Sequence, residues 1–355
     1  MAKKFQRALR GRGALSLPDD RYSELQREEL DDGWYREQEE RIPRSLFIDH
    51  SQAIINYNHS PDVPFNRSMN PYRGCEHGCV YCFARPTHAY LGFSPGLDFE
   101  TKITYKPEAA LLLRQTLAKA AYVCEPITLG INTDAYQPVE KELRITRALI
   151  EVLHETQHPF SLVTKSALIE RDIDLLSEMA KQDLVQVAIS ITTLDRHLSR
   201  KMEPRAASPR RRLQTVCRLR EAGVPVMVLL APIIPVLTEY ELEKILEQVK
   251  DAGALDAGYV LLRLPHETKT LFEEWLNAHE PLKARHVMNR MRDFRGGKLY
   301  DATFGKRMTG EGVYAELLKK RFWKMKNTLA FAGMPALQCG AFVKPVPKGA
   351  QLALF

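Results

Sequence analysis

Between Ile127 and Leu264 the chain alternates short runs of branched apolar residues with longer amphipathic stretches. The runs ITLGI (127–131), FSLVTK (160–165), VQVAISIT (185–192), PVMVLLA (225–231) and YVLLRL (259–264) are rich in Val, Ile and Leu without strict alternation. Such runs are expected of parallel strands covered on both faces. Helical spacing fills the intervals near 107–122, 139–156, 168–182, 208–222 and 238–252, and a further helix is predicted near 267–278. A strand near 66–73 completes six βα units. The alternation predicts an α/β fold with a parallel sheet and right-handed crossovers. Six units make a partial (βα)6 TIM-like barrel, short of the eight of a closed one.

In folds of this kind the chemistry collects at the C-terminal ends of the strands. Polar residues sit at those positions: Thr133 and Asp134 after the second strand, Lys165 after the third, Ser190 and Thr192 near the end of the fourth.

The flanks read differently. Residues 1–45 begin with five Lys/Arg in twelve residues and continue into an acidic run from Asp19 to Glu40, which predicts a disordered, charged arm. A core is expected over 46–282 and a basic extension over 283–342. A tail follows over 343–355, extended because Pro345 and Pro347 disfavour helix. The net charge of +7 is concentrated: from Lys283 to Lys326 there are thirteen Lys/Arg against four Asp/Glu. Such a stretch favours polyanionic partners, nucleic acid above all, or forms a solvated face. No stretch approaches the eighteen apolar residues that would span a bilayer, and the basic N-terminus lacks the apolar segment of a secretory signal. A cytoplasmic protein with no membrane partner is expected.

Three of the six cysteines fall within GCEHGCVYC, spaced Cys75-x3-Cys79-x2-Cys82. In a reducing compartment this reads as metal binding. Three thiolates on one loop can bind three irons of a cubane cluster and leave the fourth without a protein ligand. Soft thiolates suit iron–sulfur clusters and zinc alike. A zinc site from Cys75, His77, Cys79 and Cys82 is the alternative, cramped for ligands that usually come as two separated pairs. Gly74 and Gly78 let the backbone wrap closely, and Tyr81 offers a flat surface beside the third cysteine.

The loop resembles the signature of the radical S-adenosylmethionine superfamily, including the aromatic residue before the third cysteine. The resemblance implies a 4Fe-4S cluster on Cys75, Cys79 and Cys82 whose free iron chelates S-adenosylmethionine. Reductive cleavage of the cofactor then yields a 5′-deoxyadenosyl radical that abstracts hydrogen from a substrate. NPYRGCEHGCVYCFAR, TDAYQPVEKELRITRALIEVL, VTKSALIERDIDLL, SITTLDRHLSRKMEPRAASPRRRLQ and APIIP follow in order. Together, over about residues 65–265, they resemble the group similar to spore photoproduct lyase, closest to an uncharacterised bacterial branch. That likeness implies cofactor contacts at Tyr81, at Lys165 with the carboxylate, at Ser190 with the same region or the ribose, and at Thr133 and Asp134 with the amino group. It also implies an electron-donor protein and a DNA repair or nucleic-acid modification reaction. The pattern departs at one point. The lyase's hydrogen-returning cysteine would precede the turn Asn132-Thr133-Asp134, where Ile131 stands instead. Cys124 lies seven residues upstream of that position, roughly 23 Å along a strand. Cys124 and Cys217 read as small buried hydrophobes, and Cys339 as a mobile thiol.

Arg205, Arg210, Arg211, Arg212, Arg218 and Arg220 lie within sixteen residues that contain no acid, and several would share a helix face. KKRFWKMK (319–326) interleaves cations with Phe322 and Trp323, either to hold phosphates and bases or as a core aromatic pair flanked by lysines. The last five residues resemble the peptide by which bacterial repair proteins dock on the β sliding clamp, through Gln351, Leu352, Leu354 and Phe355. The rival expectations are radical modification of a protein or small molecule, and a non-catalytic metal-binding nucleic-acid adaptor.

Overall fold

The structure is a computed structural model that describes residues 11–22 and 42–345, together with a two-residue backbone pairing at Lys3–Lys4. Its centre is a seven-stranded sheet. We number its strands β1 (Ile55–Tyr57), β2 (Arg67–Met69), β3 (Ile127–Leu129), β4 (Phe160–Thr164), β5 (Val185–Ser190), β6 (Val226–Ile233) and β7 (Asp256–Leu261). They lie side by side in chain order, with β1 antiparallel at one edge and β2 to β7 mutually parallel. Every strand expected from the sequence is present. The registers pair apolar residues directly, Ile127 with Phe160 and Val187 with Val226, so each strand buries against its neighbour.

The crossovers are α1 (Ala109–Leu117), α2 (Ile145–Glu155), α3 (Ile173–Ala180), α4 (Pro209–Glu221), α5 (Leu242–Asp251) and α6 (Thr268–His279). Their inward faces follow from helical spacing: Leu242, Ile245, Leu246 and Val249 are the buried side of α5. Ser208 accepts the Arg211 amide at the start of α4, and Pro209 occupies the first helical position. A short helix at Arg196–Met202, not foreseen from the sequence, lies between β5 and α4.

A three-stranded sheet of Ser45–Ile48, Lys102–Tyr105 and Tyr72–Arg73 flanks the barrel, and the cysteine loop leaves from its last strand. Residues 11–22 do not behave as the charged arm expected of them. Ala14 and Ser16 are buried, because the Gly13 and Ala14 amides bond to Glu100 beneath the loop. Lys3–Lys4 pairs with Ser16–Leu17 and Ser45 enters the three-stranded sheet, while residues 1–2, 5–10 and 23–41 of that arm lie outside the described residues.

The basic extension resolves into helices α7 (Pro281–Asp293) and α8 (Val313–Thr328) and a strap over residues 333–344. The strap crosses the N-terminal ends of the strands, the barrel floor. It bonds to the Leu255 carbonyl from Gly333, to Asp183 from Gln338 and to Thr156 from Val343. Phe342 then packs 5.2 Å from His158 and 5.7 Å from Tyr122, ring centre to ring centre. Among the described residues, no helix is long and apolar enough to cross a membrane.

Candidate active site

The cysteine loop owes its path to two glycines. Gly74 and Gly78 have φ of +78° and +68°, the left-handed region. A Cβ on Gly78 would lie 2.7 Å from Glu100 Oε2, and one on Gly74 2.9 Å from the Phe99 carbonyl. The Cys75 amide bonds to that same carbonyl at 2.8 Å, and the Val80 amide bonds to Met202 at 3.1 Å. Beneath the loop, the fully buried Arg85 donates to the carbonyls of Cys79 and Gly78 and pairs with the fully buried Glu100. Glu100 receives the Gly13 and Ala14 amides as well, so the desolvated pair is satisfied on both sides.

Cys75 and Cys79 are buried and Cys82 half-buried, all as free thiols. Burial pushes Cys75 well above the ordinary thiol range, and Asp134 and the other two thiols add to the rise. Burial, then Glu203, pushes Cys79 up to about 12 against the pull of Lys165. The three cysteines share one eight-residue loop, although among the described residues no three His, Cys, Asp or Glu side chains are already arranged as a metal's ligand set. Buried thiols of this kind ionise only beside a cation, as metal ligands do. His77 is held by Asp134 through Nδ1 at 3.2 Å. Three soft thiols on one clamped loop fit a cluster with three protein ligands.

The end of β3 fastens the loop. Thr133 Oγ1 donates to the Gly74 carbonyl at 2.7 Å, and the Gln137 amide nitrogen reaches that oxygen at 3.2 Å. The Gln137 carbonyl oxygen accepts the Glu76 amide at 2.9 Å. Asp134 accepts from Thr164 Oγ1, the Tyr136 amide and the Lys165 amide, besides His77. Burial would raise the Asp134 carboxyl, but His77 and these donors hold it at about 2. It therefore ties the loop to the ends of β3 and β4.

On the other side, Tyr81 is buried and its hydroxyl donates to Glu203, which also pairs with the buried Arg212 and accepts from Thr192 at 2.8 Å. Burial opposes the Glu203 charge, yet Arg212 and Lys165 keep its carboxyl at about 2. Arg212 also donates to the carbonyls of Ser190 and Ala207. Lys165, half-buried, sets Nζ 6.0 Å from the Tyr81 ring centre and has no ion pair to any described residue. Ser190 is buried at the end of β5.

A sequence model of the Radical SAM superfamily matches residues 69–249, the sheet from β2 to α5 with the cysteine loop inside it. The chain belongs to the radical SAM superfamily. Its cofactors are therefore a 4Fe-4S cluster and S-adenosylmethionine, and it is an enzyme. An uncharacterised protein of Mycobacterium tuberculosis H37Rv is 39% identical over 227 residues, 63% of this chain and 67% of that protein. An uncharacterised protein of Methanocaldococcus jannaschii is 27% identical over 173 residues, 49% of this chain and 62% of that one. Among solved structures, spore photoproduct lyase complexed with dinucleoside spore photoproduct is similar in fold. The TM-score is 0.56 at 16% identity, covering 81% of this chain and 79% of the lyase.

Lys165 thus lies beside Tyr81 of the radical SAM loop, Thr133 and Asp134 are engaged by the loop and strand backbone, and Ser190 is buried with its carbonyl on Arg212. Sequence reasoning missed Glu203, Arg212, Arg85, Glu100 and Gln137. The arginine-rich stretch was read as a basic face, and the structure corrects it. Arg212 is internal, Arg211 and Arg218 pair with Glu170, Arg205 pairs with Glu76, and Arg220 donates to the carbonyls of Gly253 and Val224. Cys217, expected to be buried, is exposed on the outer side of α4 and donates to Glu221. Cys124 precedes β3 at the floor, where burial and then Cys339 of the strap push its thiol up to about 12; Cys339 is half-buried.

Proposed function

We propose that this radical SAM enzyme abstracts hydrogen from a nucleic-acid substrate in a repair or modification reaction within the cytoplasm. The presence of three thiols on one loop clamped by Thr133, Gln137 and Arg85 carries the reading. Cys75, Cys79 and Cys82 hold the cluster. With S-adenosylmethionine bound, it supplies reductive sulfonium cleavage and radical hydrogen abstraction. Lys165, which makes no ion pair with a described residue although it lies in the field of Glu203, takes the cofactor carboxylate as a point charge. Tyr81, fixed by Glu203 and Thr192, forms a wall beside it, and Ser190, at the end of β5, is assigned to the same region or the ribose. Thr133 and Asp134 act through the loop, as positioning residues.

The nucleic-acid part of the reading draws support from the surface. Lys283, Arg285, Arg292, Lys319, Lys320 and Lys324 are exposed on α7 and α8. Phe322 is core, but Trp323 is 47% exposed and can stack a base beside those exposed cations, while Lys326 over its ring is held by Asp256 and the Ala257 carbonyl. No cysteine stands before Asn132, and Cys124 is at the floor, so a reaction that returns hydrogen from a thiol at that turn is not part of the proposal.

Anaerobic reconstitution with iron and sulfide tests the reading. A brown protein is expected that forms 5′-deoxyadenosine under dithionite, faster with single-stranded DNA or RNA, and that loses iron and activity as Cys79→Ser. A colourless zinc protein would overturn the enzyme, and indifference to every nucleic acid would overturn the substrate. Docking on the sliding clamp through Gln351, Leu352, Leu354 and Phe355 falls outside the described residues and stays a proposal. Deleting those residues should abolish clamp affinity.

A further inference from the structure

Arg263 stands just beyond the end of β7, at the same mouth as the cysteine loop. Its guanidinium carbon lies 4.0 Å from the ring centre of Phe83, the residue after Cys82. It has no hydrogen bond or ion pair to any described residue, unlike its neighbour Arg295, which donates to the carbonyls of Leu262, Lys306 and Arg307. Burial pulls Arg263 below the ordinary guanidinium range, and neighbouring Arg307 adds to that, against Tyr300, Cys82 and Asp62. A half-buried cation with no ion pair is costly in a folded protein unless water or an anion meets it. At a catalytic mouth it is placed to receive an anionic ligand.

Two anions could come there, the cofactor carboxylate and a phosphate of the substrate. In sheet order β4, which leads to Lys165, is three strands from β7, so the two backbones stand roughly 14 Å apart along the sheet. Lys165 faces Tyr81 and Arg263 faces Phe83, so each cation has its own aromatic neighbour on the loop. The surroundings of Arg263 come from the loop between α7 and α8, where Arg307 pairs with Asp62 and lies 4.7 Å from the ring centre of Phe304. Phe304 is 55% exposed and Phe83 36% exposed. Aromatic faces beside a planar fork of donors suit a nucleotide, with stacking for the base and bidentate bonds for the phosphate.

We propose that Arg263 is a substrate-binding residue that receives a phosphate group of the nucleic-acid strand, with Phe83 and Phe304 as stacking surfaces. This rests on the nucleic-acid reading above and gives that substrate a place at the mouth.

The test uses the reconstituted holoenzyme and a fluorescein-labelled decathymidylate, read by anisotropy across a salt series. Arg263→Gln should weaken binding about tenfold and reduce the salt slope by about one, and Arg263→Lys should recover part of both. Wild-type binding with an unchanged Arg263→Gln overturns the role of Arg263 while leaving the nucleic-acid reading intact. No binding by the wild type overturns that reading itself, and the proposal with it. Equilibrium dialysis with S-adenosylmethionine separates the two anion sources: a loss of cofactor affinity in Arg263→Gln assigns the residue to the carboxylate and refutes the proposal. Iron content of each variant shows that the loop is intact, and Phe304→Leu, distant from the cysteines in sequence, should weaken the oligonucleotide independently.

Discussion

The two ends of the sheet solve the same burial problem with different chemistry. At the mouth the interior holds charges: Arg85 with Glu100, Arg212 with Glu203, His77 with Asp134. At the floor it holds neutral groups. Tyr122 bonds His158 at 2.7 Å, Phe342 packs on both rings, and strap amides close the open carbonyls of Leu255, Asp183 and Thr156. Arg67, the cation there, lies over the Tyr122 ring and reaches the Val123 carbonyl and Glu125. Buried ion pairs contribute little net stability but fix geometry, and they are costly when one partner is lost. The mouth is thus built for placement and the floor for cohesion. That division is expected where one end must hold a loop in a single conformation.

The sharpest way to break this comparison is to strip one charge from the mouth. Arg212→Met should destabilise the reconstituted protein by about 3–5 kcal/mol in urea unfolding, because Glu203 stays buried without its cation. Adding Glu203→Gln should restore part of that loss, and a double variant no better than the single would refute the pairing argument. Next in size is a pH effect at the floor. Burial holds His158 at about 4, below its ordinary 6.5, so the unfolded chain binds the extra proton between those values. Stability is full above pH 6.5 and falls toward pH 4 by up to about 1.4 kcal/mol per pH unit. His88, also held at about 4 by burial, shares this window, so urea midpoints of His158→Gln should flatten the decline without removing it. The mouth carboxylates Asp134 and Glu203, both held at about 2, add a separate loss as pH falls from about 4.5 to 2, which His158→Gln leaves in place.

Smaller effects sharpen the same contrast. Phe342→Ala should cost about 2 kcal/mol, less than a fully buried Phe because the ring is half-buried, and should leave iron loading unchanged. A drop in iron content there would mean that floor and mouth are coupled. Cys217→Ser, on the solvent side of α4, should move the urea midpoint by no more than about 0.5 kcal/mol.

The sheet was readable because β3 to β7 carry their burial in local composition, and the cysteine loop because its ligands lie within eight residues. Lys165 and Ser190 were reachable as polar residues at strand ends. The supports of the loop were not. Tyr81 and Glu203 are 122 residues apart, and Gln137 is 61 residues from the amide it accepts. No local pattern distinguishes those carboxyl and amide groups from solvated ones. The arginine stretch misled for the same reason, since its counter-charges Glu170 and Glu76 lie far outside it. The strap was hidden because it is held mainly by backbone amides, which any sequence possesses.

Lys344 ends the strap by donating to the carbonyls of Lys119 and Ala120, on the pole opposite the cysteines. A six-residue strand puts roughly 20 Å between those poles. A label placed on Lys344 therefore sits at the back of the molecule and leaves the catalytic entrance clear.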